Sequence, residues 1–84
     1  MTDHYFTFRS ITKAQAGERA LGREGLHCVL LRAPKILSAN GCGYVLKIRG
    51  GEVHLAASAL HLWGIEFGKV YRFMNDGSAE EVIL

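Results

Sequence analysis

The stretch LHCVLLRAPKILSANGCGYVLKIR, residues 26–49, decides the fold. Between Leu26 and Arg32 the run is apolar except at His27, and reads as a central strand. Pro34 ends the fully paired part of that strand, since proline has no N–H to give to a ladder. Tyr44 to Arg49 alternates strictly, with Tyr44, Leu46 and Ile48 facing a core and Val45, Lys47 and Arg49 facing away. Lys35 to Gly43 connects the two runs. If they pair as a hairpin about that loop, Cys28 falls opposite Ile48 and stands roughly 20 Å from Cys42.

On the N-terminal side, His4 to Arg9 is aromatic and β-branched and reads as a strand, with Phe6 and Phe8 on one face. Ser10 is placed to cap a helix over residues 11–23, whose inward positions are Ile11, Ala14, Gly17 and Leu21. Gly25 is placed to end it. On the C-terminal side, Gly50-Gly51 breaks the chain and Glu52 opens a second helix. Its buried stripe reads Val53, Ala56, Ala57, Leu60, Trp63 and Gly64. Val70 to Met74 is a last strand, Asn75-Asp76-Gly77 a turn, and residues 75–84 a short tail. The order strand, helix, strand, strand, helix, strand predicts one α+β domain over residues 1–84, with its core within 4–74. The architecture expected is a ferredoxin-like βαββαβ sandwich, a four-stranded antiparallel sheet with both helices on one face. Phe6, Phe8, Leu46, Ile48, Leu60 and Trp63 are its expected core. Tyr5, Thr7, Arg9, Val45 and Lys47 line the other face, joined by Arg72 if the last strand keeps the same polarity.

A chain of 84 residues has no room for a second core, and buries roughly 60–65% of its unfolded surface. Its 49% apolar and 21% charged residues make a globular composition. The net charge of +2 is too small to argue for nucleic acid, and an RNA platform is not expected with Tyr5 as the one clear aromatic on the open sheet. Two cysteines do not make a disulfide framework, no apolar run reaches membrane-spanning length, and no basic-then-apolar leader opens the chain. A cytoplasmic protein is expected, with neither nucleic acid nor membrane as partner.

The chemistry narrows to one loop. Ser38-Ala39-Asn40-Gly41-Cys42-Gly43 carries no charge and sets a cysteine between two glycines. One reading is a tight turn opening a strand, with Cys42 as a small apolar residue. The other is a reactive thiol, its anion held by backbone N–H groups of residues 41–44 and by Arg32 or Lys35. No base stands beside Cys42 in sequence, which speaks against hydrolysis and for a simple carrier or sensor thiol, so no enzyme is expected. Cys28, in mid-strand, reads as core. The four histidines show no metal spacing, so neither metal nor cofactor is expected.

Phe8-Arg9-Ser10 leading a small-residue helix, then Arg32-Ala33-Pro34-Lys35, Ser38 and Cys42-Gly43 opening a strand, resemble the putative selenium/sulfur carrier protein-like family. These are small bacterial domains of unproven function, found alone or fused to sulfur-relay domains. The likeness covers nearly the whole chain. It is most specific at Pro34, Ser38, Cys42 and Gly43, and departs at Asn40-Gly41. It implies Cys42 as the residue that bears a chalcogen; the loop residues Ser38, Asn40, Gly41 and Gly43 around it are the expected binding loop. A protein donor or acceptor follows as partner. A homodimer is a further expectation, from the open sheet face and the apolar end Val82-Ile83-Leu84. Two other functions fit the same residues: a protein-interaction module docking through the open sheet, with Cys42 structural, and an ACT-like regulatory domain binding a small ligand.

Overall fold

The computed structural model describes residues 3–38 and 43–84. Strand β1 (His4–Phe8) leads to helix α1 (Ile11–Arg23), β2 (Cys28–Arg32), a 3-10 turn (Lys35–Leu37) and β3 (Tyr44–Ile48). A second 3-10 turn (Gly50–Glu52) precedes α2 (Val53–Leu62), and β4 (Val70–Phe73) and β5 (Ala79–Val82) follow. The result is an α+β domain with one open antiparallel sheet in the order β2-β3-β1-β4-β5.

Local chemistry sets the helix ends. The Ser10 hydroxyl accepts the Lys13 N–H at 3.2 Å and opens α1. Both helices close in the same way. Gly25 and Gly64 take φ of 76° and 69°, a region costly for residues with a Cβ. The next residue then reaches back, Leu26 N–H to the Leu21 carbonyl and Ile65 N–H to the Leu60 carbonyl, each at 2.9 Å.

Gly17 shows how the layers meet. A Cβ on it would lie 3.1 Å from Leu46 of β3, 3.2 Å from Phe8 of β1 and 3.4 Å from Leu60 of α2. Both helices therefore pack on one face of the sheet. Phe6, Phe8, Leu46, Ile48 and Leu60 are buried there, as their alternation and helical spacing predict.

Four expectations are corrected. The sheet has five strands, because residues 79–82 of the tail pair with β4. The Arg72 Nε donates to Glu80 Oε1 at 2.7 Å, directly across that ladder. The Asn75–Gly77 turn is tied by the Ser78 N–H and hydroxyl donating to one Asp76 carboxylate oxygen at 2.9 and 2.6 Å, which holds that exposed carboxyl below its usual range. Second, β2 is an edge strand, paired among the described residues with β3 alone, and Val29 and Leu31 remain over a third exposed. Third, the side chain of Ile11 overhangs the first turn of α1, 42% exposed.

The fourth is Trp63. The left-handed Gly64 ends α2 at Leu62, so the buried stripe stops at Leu60. Trp63 sits at the rim, 43% exposed. Its Nε1 donates to Glu24 Oε2 at 3.2 Å and the Arg23 guanidinium lies 4.8 Å from its ring centre. Trp63→Ala should thus cost about 1 kcal/mol, not the ~3–5 of a buried tryptophan. Urea denaturation measures this, and native fluorescence from this one tryptophan should be readily quenched by acrylamide. A loss above ~3 kcal/mol would return Trp63 to the core.

The register also sorts the far side of the sheet. Tyr5 pairs with Lys47 and Tyr71, and Thr7 with Val45, so these share the face away from the helices. Arg72 pairs with His4 and lies on the helix side, while Tyr71 and Phe73 take the open face. Tyr5 meets Phe73 edge to face, ring centres 5.0 Å apart. That face is more aromatic than Tyr5 alone predicts. Val45 and Thr7, expected outward and open, are fully buried, and the Thr7 hydroxyl donates to the Lys69 carbonyl at 2.7 Å.

Candidate functional site

The connection between β2 and β3 is built on a closed stem. Arg32 and Tyr44 form the last register pair, and the Arg32 guanidinium lies 5.7 Å from the Tyr44 ring centre. One step further, the Ala33 N–H donates to the Gly43 carbonyl at 2.9 Å. Pro34 then starts a 3-10 turn, in which Leu37 N–H donates to its carbonyl at 2.9 Å. Leu37 is buried and anchors the turn, while Lys35 and Ile36 are exposed.

The site residues fall out as follows. Arg32 is exposed at the stem and stacks on Tyr44. Lys35 is exposed on the turn. The Ser38 hydroxyl donates to the Lys35 carbonyl at 3.1 Å, so it closes the turn. Among the described residues, none lies within 4 Å of where a Cβ on Gly43 would stand. Asn40, Gly41 and Cys42 lie outside the described residues.

Cys28 occupies the other end of β2, four residues or about 13 Å from Arg32. It lies opposite Ile48, as the hairpin reading predicts, and packs half-buried against the core. Burial, and secondarily the Glu18 carboxylate, push its pKa up to about 11. Thiolate is the reactive form. Alkylation of Cys28 should therefore be slow at neutral pH and rise about tenfold per pH unit until close to 11. Mass spectrometry of iodoacetamide-treated protein follows this. A plateau near pH 8 would mean an ordinary exposed thiol.

Sequence reasoning passed over one feature. His61, Ile65, Phe67, Lys69, Val82 and Leu84 line an open groove of about 800 Å³ beside the start of β4. The register Tyr44–Phe8 and Val70–Phe6 puts this groove at the sheet end that carries the β2–β3 stem. The only signal was the apolar end Val82-Ile83-Leu84 after a glycine-flanked segment, 64–68. Among the described residues, no cluster of His, Cys, Asp and Glu is placed to hold a metal ion, and no helix is long and apolar enough to cross a membrane.

The family described as putative Se/S carrier protein-like matches residues 3–72. The chain belongs to this family. The matched span runs from β1 into β4 and includes the whole β2–β3 connection with Cys42, whereas β5 lies beyond it. No curated protein and no solved structure was found that matches the chain.

Proposed function

We propose that the protein is a non-enzymatic carrier that holds sulfur or selenium on Cys42 as a persulfide or selenosulfide and passes it to a protein partner. Family membership supports carriage. The state of the other thiol points to Cys42: Cys28, with a pKa near 11, is protonated and half-buried at neutral pH. The step is an exchange. The Cys42 thiolate attacks the outer sulfur of a donor persulfide, the donor S–S bond breaks, and the donor cysteine leaves as thiolate. One S–S bond replaces another, with no net oxidation. Arg32 and Lys35 add positive charge near the loop, which favours the anionic sulfur. The frame that carries the loop is read as ferredoxin-like, with β5 added at its edge, and the working compartment as a reducing bacterial cytoplasm.

The test is intact mass. Reduced protein incubated with a cysteine desulfurase and cysteine gains one or more sulfur atoms, removable by reductant. Failure with every sulfane-sulfur and reduced-selenium donor, while Cys42 alkylates readily, would refute the carrier reading. The aromatic row Tyr5, Tyr71 and Phe73 favours a second reading in that case, docking through the open sheet face with Cys42 structural.

A further inference from the structure

The two edges of the sheet are built differently. β5 presents Ala79-Glu80-Glu81-Val82, and Glu80 and Glu81 pair with Arg72 and Lys69. Charged side chains of this kind blunt an edge against further pairing. β2 presents Cys28-Val29-Leu30-Leu31-Arg32, with no charge in its first four residues and, among the described residues, one neighbour, β3. The ladder fixes which of its groups are open. The Ala33 N–H donates to Gly43, so residues 29, 31 and 33 turn their backbone groups to β3. The N–H and C=O of Cys28, Leu30 and Arg32 point away from the sheet.

We propose that this edge pairs with the same edge of a second copy of the chain, antiparallel about a two-fold axis at Leu30. The two five-stranded sheets then run on as one sheet of ten strands, with all four helices on one side. The segment is self-complementary in that register. Leu30 exchanges hydrogen bonds with its own counterpart, and Cys28 with Arg32 of the second copy, so all three outward residues are satisfied. On the open face Val29 meets the other copy's Leu31, which covers two apolar side chains now 38% and 39% exposed. Arg32, the one charge on the strand, lies opposite a cysteine and not opposite another arginine. Sliding by one residue would set open backbone groups against groups already bonded to β3. Cys28 is four positions from its counterpart, so no disulfide is involved.

Sedimentation equilibrium in the presence of reductant reads the outcome. Wild-type protein should sediment as a reversible dimer. Two double variants test the register: Val29→Lys with Leu31→Lys, and Val29→Glu with Leu31→Glu. Each sets like charges opposite at both open-face pairs and should raise the dissociation constant on the order of tenfold or more. Mixed one to one, they should form a heterodimer, since lysine then faces glutamate at both pairs. Both positions are exposed, so folding is retained, and recovery on mixing is something misfolded chains could not give. A monomeric wild type at the highest concentration, a dimer unmoved by either variant, or no heterodimer on mixing would each overturn the proposal. A monomer that instead seats a strand of a different protein on β2 would overturn it as well.

Discussion

If Cys42 is the carrier residue, Cys42→Ser should remove all sulfur uptake, and Cys28→Ser should leave uptake at the wild-type level. The asymmetry comes from two environments in one short chain. Transfer needs a thiolate that can reach the outer sulfur of a donor. With a pKa of about 11, Cys28 offers roughly one thiolate in ten thousand at pH 7. It also packs half-buried against the core, opposite Ile48. Cys42 stands between Gly41 and Gly43, within the connection closed by the Ala33–Gly43 hydrogen bond. Serine at 42 keeps the size and loses the sulfur, so the effect is all or none. Arg32→Ala and Lys35→Ala should slow transfer several-fold without changing its extent, since each removes a positive charge from the stem and turn of the β2–β3 connection and leaves the nucleophile. Intact mass after treatment with a cysteine desulfurase and cysteine measures all four variants. Uptake that survives in Cys42→Ser, or vanishes in Cys28→Ser, would move the chemistry to the other thiol.

The parts of this fold that the sequence states openly are those governed by short-range rules. Ser10 and Gly25 bracket α1 because capping depends on residues within one turn. The alternation of Tyr44 to Ile48 places Leu46 and Ile48 in the core, and with a hairpin it fixes Cys28 against Ile48. What stayed hidden depends on distant partners. Ala79-Glu80-Glu81-Val82 is too short and too charged to read as a strand, and pairs with β4 through Arg72 and Glu80. β2 is apolar on both faces, as a central strand is, and only the order of the sheet shows it to be an edge. Trp63 continues the helical spacing of α2, yet Gly64, one residue on, ends the helix and leaves the indole at the rim. In the site, the sequence singled out Ser38 and Gly43. The structure gives Ser38 a turn-closing hydrogen bond, and no described residue crowds the place of a Cβ on Gly43.

Phe6→Ala should cost about 3–5 kcal/mol. Phe6 lies on β1, the strand flanked by β3 and β4, with Leu46 opposite on one side and Val70 on the other. Its side chain is fully buried and meets Phe67 edge to face, ring centres 4.9 Å apart. Truncation leaves a void that the neighbours fill only in part, because their strands are held by ladders on both sides. A domain of 84 residues has about 4–12 kcal/mol of total stability, so this one change takes a quarter or more of it. The melting temperature should fall by roughly 15–30 °C. Leu62→Ala, at a side chain 74% exposed on α2, should change stability by about 0.5 kcal/mol or less. The loop is tied to the same core. β1 holds β3 through Phe6–Leu46 and Phe8–Tyr44, and Tyr44 pairs with Arg32 at the stem. Loosening Phe6 therefore loosens the base on which the Cys42 loop stands. Thermal and urea unfolding followed by circular dichroism measure both variants. Equal costs for Phe6→Ala and Leu62→Ala would mean that the hydrophobic core does not lie between β1 and the two helices.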